Sequence, residues 1–156
     1  MTTTDPLEPN TPTDDRVPPP TCWPSLRYDD APAAIAFPEA AFRAEVALVV
    51  TGDEPGVVLH AEVHLPHGGG VMLGSTQRAS TLDALPGGVG AVYAVIDRPD
   101  ERFEQAVAAG ASVVMAPTDQ PHGSRDFVVR DPEGVHWCFG TYRGAPQPGW
   151  AAWEAS

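Results

Sequence analysis

Apolar and polar residues alternate along several short stretches of this chain, and the alternation has the period of β-structure. Strands are predicted at about 44–51, 56–65 and 70–75, and again at about 111–116, 125–131 and 135–142, with Gly-rich turns between most of them. Two further stretches carry apolar residues at helical spacing. In the later one Phe103, Ala106, Val107 and Gly110 follow one face, acidic residues fill the first turn, and Gly110 suits the stop. In the earlier one Ala34, Phe37, Ala41 and Phe42 form the apolar face, and Pro38 inside it predicts a kink or a break. A short alternating strand ending in Asp precedes each helix; the Asp is placed to cap it, and Pro follows in the early positions.

The chain compares well with itself at an offset of 67 residues. Asp30-Ala31-Pro32 becomes Asp97-Arg98-Pro99, Leu26 and Tyr28 become Tyr93 and Val95, and Val46 and Leu48 become Val113 and Met115. Each half therefore reads βαβββ. The fold class predicted is α+β: two βαβββ modules, about 22–76 and 89–143, forming a curved, mostly antiparallel eight-stranded half-barrel. With one helix on one face of each module's sheet, the other faces line a central cleft. Residues 1–21 are Pro- and Thr-rich, cannot offset their ordering entropy by burial, and read as a disordered tail. Residues 144–156 read as a C-terminal tail in which Trp150 and Trp153 share a helical face, placed to dock or else part of a frayed end.

A chain of 156 residues fits one domain with its own core. Nine basic against 21 acidic residues give a net charge of −12 with no basic cluster, so no nucleic-acid partner is expected. Cys22 and Cys138 lie far apart and form no CxxC pair, which argues against a disulfide framework and a structural zinc site. No apolar run approaches a membrane span, and no basic-then-apolar leader is visible, so a cytoplasmic protein is expected.

Alternation also selects candidate chemistry. His60, Glu62 and His64 share one strand face, with Ala61, Val63 and Leu65 on the other. Such a His-x-Glu-x-His set can hold a metal, although side chains two apart in a strand lie about 6–7 Å apart, wide for one ion. A solvated or hydrogen-bonding polar face is the alternative. His136 and Cys138 share a face opposite Trp137 and Phe139, which fits either a thiolate with its base or a small buried cysteine. Arg27 shares a face with Trp23 and Ser25. Arg27 and Arg125 are candidates to grip an anionic or carbonyl-bearing ligand, or else form structural salt bridges to Glu62 or Asp131.

Three stretches, LRYDDAPAAIAF, VYAVIDRPDERFEQAVAAGASVVMAPTDQPHGSRDFVVRDPEG and GVHWCFGTY, resemble the vicinal oxygen chelate superfamily of glyoxalase I, fosfomycin- and bleomycin-resistance proteins and extradiol dioxygenases. Gly123-Ser124-Arg125 and the run from Asp131 to Trp137 resemble the signatures of its phosphonate-operon-type bacterial subgroup. The resemblance implies a homodimer. It also implies a metal site built from His or Gln, Glu, His and Glu on the first and last strands of each module. Here Trp23, Gly90, and Met72 or Gly74 stand at three of those positions, and Cys138 at the fourth. No metal in that place, and no cofactor, is therefore expected. Trp23 offers a stacking surface like that of members that sequester planar drugs, or else packs against the C-terminal tail. Arg43, where the family usually has Gly, implies a different end to the first helix. The function expected is a metal-free protein holding an aromatic or anionic metabolite or antibiotic. Its site would draw on Trp23, Ser25 and Arg27, on His60, Glu62 and His64, and on Arg125, His136 and Cys138. The alternatives are a lyase, isomerase or dioxygenase-like enzyme using His60, Glu62 or His136 as metal ligand or base, and a structural dimer with a vestigial pocket.

Overall fold

The computed structural model describes residues 22–145; the predicted N-terminal tail and the segment holding Trp150 and Trp153 lie outside the described residues. The first module consists of β1 (Ser25–Tyr28), α1 (Ala31–Phe42), β2 (Glu45–Thr51), β3 (Val58–His64) and β4 (Gly70–Ser75). The second consists of β5 (Ala91–Val95), α2 (Pro99–Ala108), β6 (Ser112–Asp119), β7 (Arg125–Arg130) and β8 (His136–Gly140). The fold is α+β with two βαβββ modules. The strands form two four-stranded sheets, in the orders β1-β4-β3-β2 and β5-β8-β7-β6, not closed on one another. In each sheet the module's first and last strands run parallel, and the other pairs run antiparallel. Neither helix is long and apolar enough to cross a membrane.

The helix starts differ. Asp30 caps α1 by accepting the Ala33 N–H at 3.1 Å. At α2 the cap position is Arg98, with no side-chain bond, so Asp97 falls one residue short of the role expected for it. The two helix starts are 68 residues apart rather than 67, and the slip inverts the faces read from the repeat. Ala94 and Ile96, not Tyr93 and Val95, are the buried counterparts of Leu26 and Tyr28. The helix α1 passes through Pro38 without the break expected there, and the proline ring is buried on the core face. Val107 is 42% exposed, so α2 rests on Phe103 and Ala106 instead. Arg43 also departs from expectation. It takes the left-handed conformation (φ 55°, ψ 35°) that glycine usually supplies, and the next N–H, of Ala44, bonds the Pro38 carbonyl at 3.1 Å. The helix thus ends in the ordinary way, with a strained residue.

A single core spans both modules. The Phe42 ring of α1 lies 4.5 Å from Phe139 and 5.0 Å from Trp137, both on β8 of the other module. One apolar cluster takes Ala61, Val63 and Leu73 from one sheet and Phe127 and Val129 from the other, with α1 packed against α2. Buried Asp131 ties the halves together. One carboxylate oxygen accepts the N–H groups of Glu133, Gly134 and Val135; the other accepts the Tyr28 hydroxyl at 2.7 Å and the Trp137 indole N–H at 3.2 Å. The Glu133 carboxylate in turn accepts the backbone N–H groups of Asp29 and Asp30 just before α1. The Asp-Pro-x-Gly-x-x-Trp stretch is therefore a joint between modules.

Candidate functional site

Cross-strand partners share a sheet face, and register places the site residues. Arg27 lies beside Gly74, Ser25 beside Met72, Met72 beside Glu62, and Gly70 beside His64. His60 and Glu62 pair with Val50 and Leu48 on the edge strand. Trp23, Ser25, Arg27, His60, Glu62 and His64 thus lie along one face of the first sheet, with Ala61, Val63 and Leu73 buried on the other. At one end of this face is a cavity of about 340 Å³ lined by Trp23, Arg43, Glu45, His64 and the turn after it. The Trp23 indole approaches His64 at a ring distance of 5.4 Å and lies against Gly70, where a Cβ would come within 2.6 Å of it. Glycine is needed there for the indole to lie on the strand. The cavity has the size of a small organic ligand's site.

The other polar groups on the face turn to one another. His60 Nε2 and Glu62 Oε1 lie 3.1 Å apart, while His64 turns to Trp23. Among the described residues no three of His, Cys, Asp and Glu are grouped to hold a metal ion. The family's metal positions do not fit one either. Trp23, Gly90, Met72 and Cys138, at the places the resemblance gives to metal ligands, include no carboxylate or imidazole; Met72 lies beside Ser25 on β1 and Cys138 beside Tyr93 on β5.

Arg27 is buried and committed to structure: its guanidinium donates to Asp83 at 3.0 Å and to the carbonyls of Ser75, Thr76 and Arg78. It clamps the segment after β4, and its carboxylate partner is Asp83 rather than Glu62 or Asp131. The structure separates Arg125 from the rest. It has the parity of buried Phe127 and Val129, which places it on the helix side. There it forks onto Asp100 at 2.7 and 2.8 Å, in the first turn of α2, and reaches Asp119 at 3.0 Å.

His136 and Cys138 lie on the face of the second sheet that carries Tyr93 and Asp126. Burial first, and then the Asp126 carboxylate, push the Cys138 thiol above its ordinary range, so it is not a ready thiolate. A side chain at Gly140 would collide with Asp126 and with the Tyr93 hydroxyl, which donates to the Tyr142 carbonyl at 3.1 Å. Ser124, bonded to Asp126, completes this group. Reading the repeat one residue out of step hides it. No hydrogen bond or ion pair among the described residues joins His136 or Cys138 to His60 or Glu62.

Fold and sequence together place the chain in a family. It belongs to the Glyoxalase/Bleomycin resistance protein/Dioxygenase superfamily, whose pattern matches residues 22–139. Among its relatives, an uncharacterised protein of Mycobacterium tuberculosis (strain ATCC 25618 / H37Rv) is 35% identical over 127 residues, covering 78% of this chain and 74% of its own. The crystal structure of TioX from Micromonospora sp. ML1 is 30% identical with a TM-score of 0.63, covering 74% of this chain and 93% of that one. Glyoxalase I from Zea mays shares the fold at 15% identity, with a TM-score of 0.60 over 78% of this chain and 44% of its own.

Proposed function

We propose that this protein is a metal-free small-molecule-binding member of the superfamily, holding an aromatic ligand on the polar face of its first sheet. The cavity of about 340 Å³ beside Trp23 carries the reading. An indole floor supplies a large contact area at low entropy cost, and the donor set of the family's metal enzymes is missing from their usual positions. The narrower likeness to phosphonate-operon-type proteins rests on two stretches whose Arg125 and Asp131 have structural work here, so it does not guide the choice of ligand. A cytoplasmic homodimer completes the reading. Leu48 and Val50 on edge strand β2 are 43% and 41% exposed, apolar surface that a second copy would cover. A monomeric mass by light scattering at micromolar concentration would count against the dimer.

The test is native mass spectrometry with elemental analysis of protein purified without added metal. The expected result is substoichiometric iron, nickel, manganese and zinc, together with aromatic-ligand binding that Trp23→Ala weakens. Near-stoichiometric metal lost in His60→Ala or Glu62→Ala would overturn the reading in favour of an enzyme.

A further inference from the structure

Gly74 marks an occupied place on the same face. A Cβ there would lie 2.9 Å from Arg78 Nε and 3.1 Å from the Leu59 carbonyl. Because Gly74 pairs with Arg27, with buried Leu73 and Ser75 on either side of it, its missing side chain would point to the polar face. The Arg78 side chain fills that space. Arg27 fixes the backbone beneath it, donating to the Arg78 carbonyl at 3.3 Å. Yet the half-buried Arg78 guanidinium has no hydrogen bond or carboxylate partner among the described residues. On the paired strand, the Nε–H of Arg27, whose guanidinium reaches the Arg78 carbonyl, is buried without a partner. An unpaired buried donor is costly, and two guanidinium groups offering free N–H together make a site for an oxygen anion.

We propose that Arg78, with the unpartnered Nε–H of Arg27, is the anion-binding end of the cleft. The ligand then carries a carboxylate or phosphate at one end and a flat aromatic group at the other. This rests on the reading of this face as a binding cleft. Trp23 and Arg27 are four residues apart in extended chain, which separates the two ends by about 13 Å. Ser25 and Met72 lie between them.

Three matched probes test this by calorimetric titration of the full chain: naphthyloxyhexanoate, naphthyloxyhexyl phosphate and the neutral naphthyloxyhexanamide. At least one anion is expected to bind about tenfold or more tightly than the amide, and the better anion identifies the group recognised. Arg78→Gln should abolish that advantage, Arg78→Lys should retain part of it, and Trp23→Ala should weaken all three alike. Circular dichroism confirms that each variant is folded. Equal affinity of anions and amide for the native protein, or an advantage that survives Arg78→Gln, overturns the anion site and leaves the aromatic cleft standing. Failure of every probe to bind at millimolar concentration overturns both.

Discussion

Tyr28 and Asp131 meet through a buried hydrogen bond of 2.7 Å that crosses from the first module to the second. The same carboxylate holds the Trp137 indole and three backbone N–H groups, of which Gly134 N–H also reaches the Asp131 carbonyl, so its removal strands four donors at once. Asp131→Ala is therefore expected to cost about 3–5 kcal/mol, and Tyr28→Phe, which removes one donor, about 1–2 kcal/mol. Urea unfolding midpoints check both values.

That bond also sets an alkaline limit. Burial first, and then the Asp131 charge and hydrogen bond, push the Tyr28 phenol far above its ordinary range. Below about pH 10 neither folded nor unfolded phenol ionises, and its contribution is fully present. Above that pH the unfolded phenol loses its proton while the folded one keeps it, so stability falls by about 1.4 kcal/mol per pH unit. The chain has no lysine to blur the titration. Tyr93 and the Cys138 thiol shift in the same direction, chiefly through burial, so Tyr28→Phe should remove part, not all, of the slope in stability measured from pH 9 to 11.

Arg43 is the one non-glycine residue with positive φ among the described residues. Arg43→Gly should raise stability by about 0.5–1 kcal/mol, since relief of left-handed strain exceeds the entropy glycine adds to the unfolded chain. The exposed contact with Glu101, at 3.5 Å, gives up little. Arg43 also lines the cavity beside Trp23. A variant that gains stability but loses aromatic-ligand affinity would show the strain to be kept for binding.

Cys138 should behave as a thiol. With iodoacetamide at pH 8, exposed Cys22 is expected to react well before Cys138, whose proton is held by burial and by Asp126. Cys138→Ser should leave ligand affinity within about twofold. Faster alkylation at Cys138 than at Cys22 would reinstate it as a nucleophile.

Trp23→Ala should weaken an aromatic ligand roughly ten- to a hundredfold, and Arg125→Ala should leave it unchanged. The contrast follows from placement: Trp23 lines the cavity, whereas Arg125 is engaged on the helix side with Asp100 and Asp119. Parallel titrations of the two variants decide it.

Much of this was legible in the residues. Strands predicted at about 44–51 and 70–75 form at 45–51 and 70–75, because period-2 alternation survives wherever one face is buried. The grouping of His60, Glu62 and His64 with Trp23 on one face follows from the same alternation. Its failures came where a single residue of register matters. The repeat offset is 68 rather than 67, so Tyr93, matched to buried Leu26 in the sequence, is 47% exposed. Arg125 was drawn toward the cleft by its motif, although its strand parity points it to α2. Arg78 was invisible because it lies in an aperiodic segment positioned by long-range bonds from Arg27.

The joint at Asp131 bears on how the chain reaches its fold. Tyr28 and its partner are 103 residues apart, and Glu133, which secures the turn ahead of α1, is as distant. The first half emerges during synthesis without the groups that complete its opening turn, and those groups come from near the far end of the domain. Contacts of such separation slow a folding reaction, because loop closure must precede any return. The two halves look alike in outline, yet the earlier one must wait for the later, and a chain cut between them would lack the pairing that fixes its start.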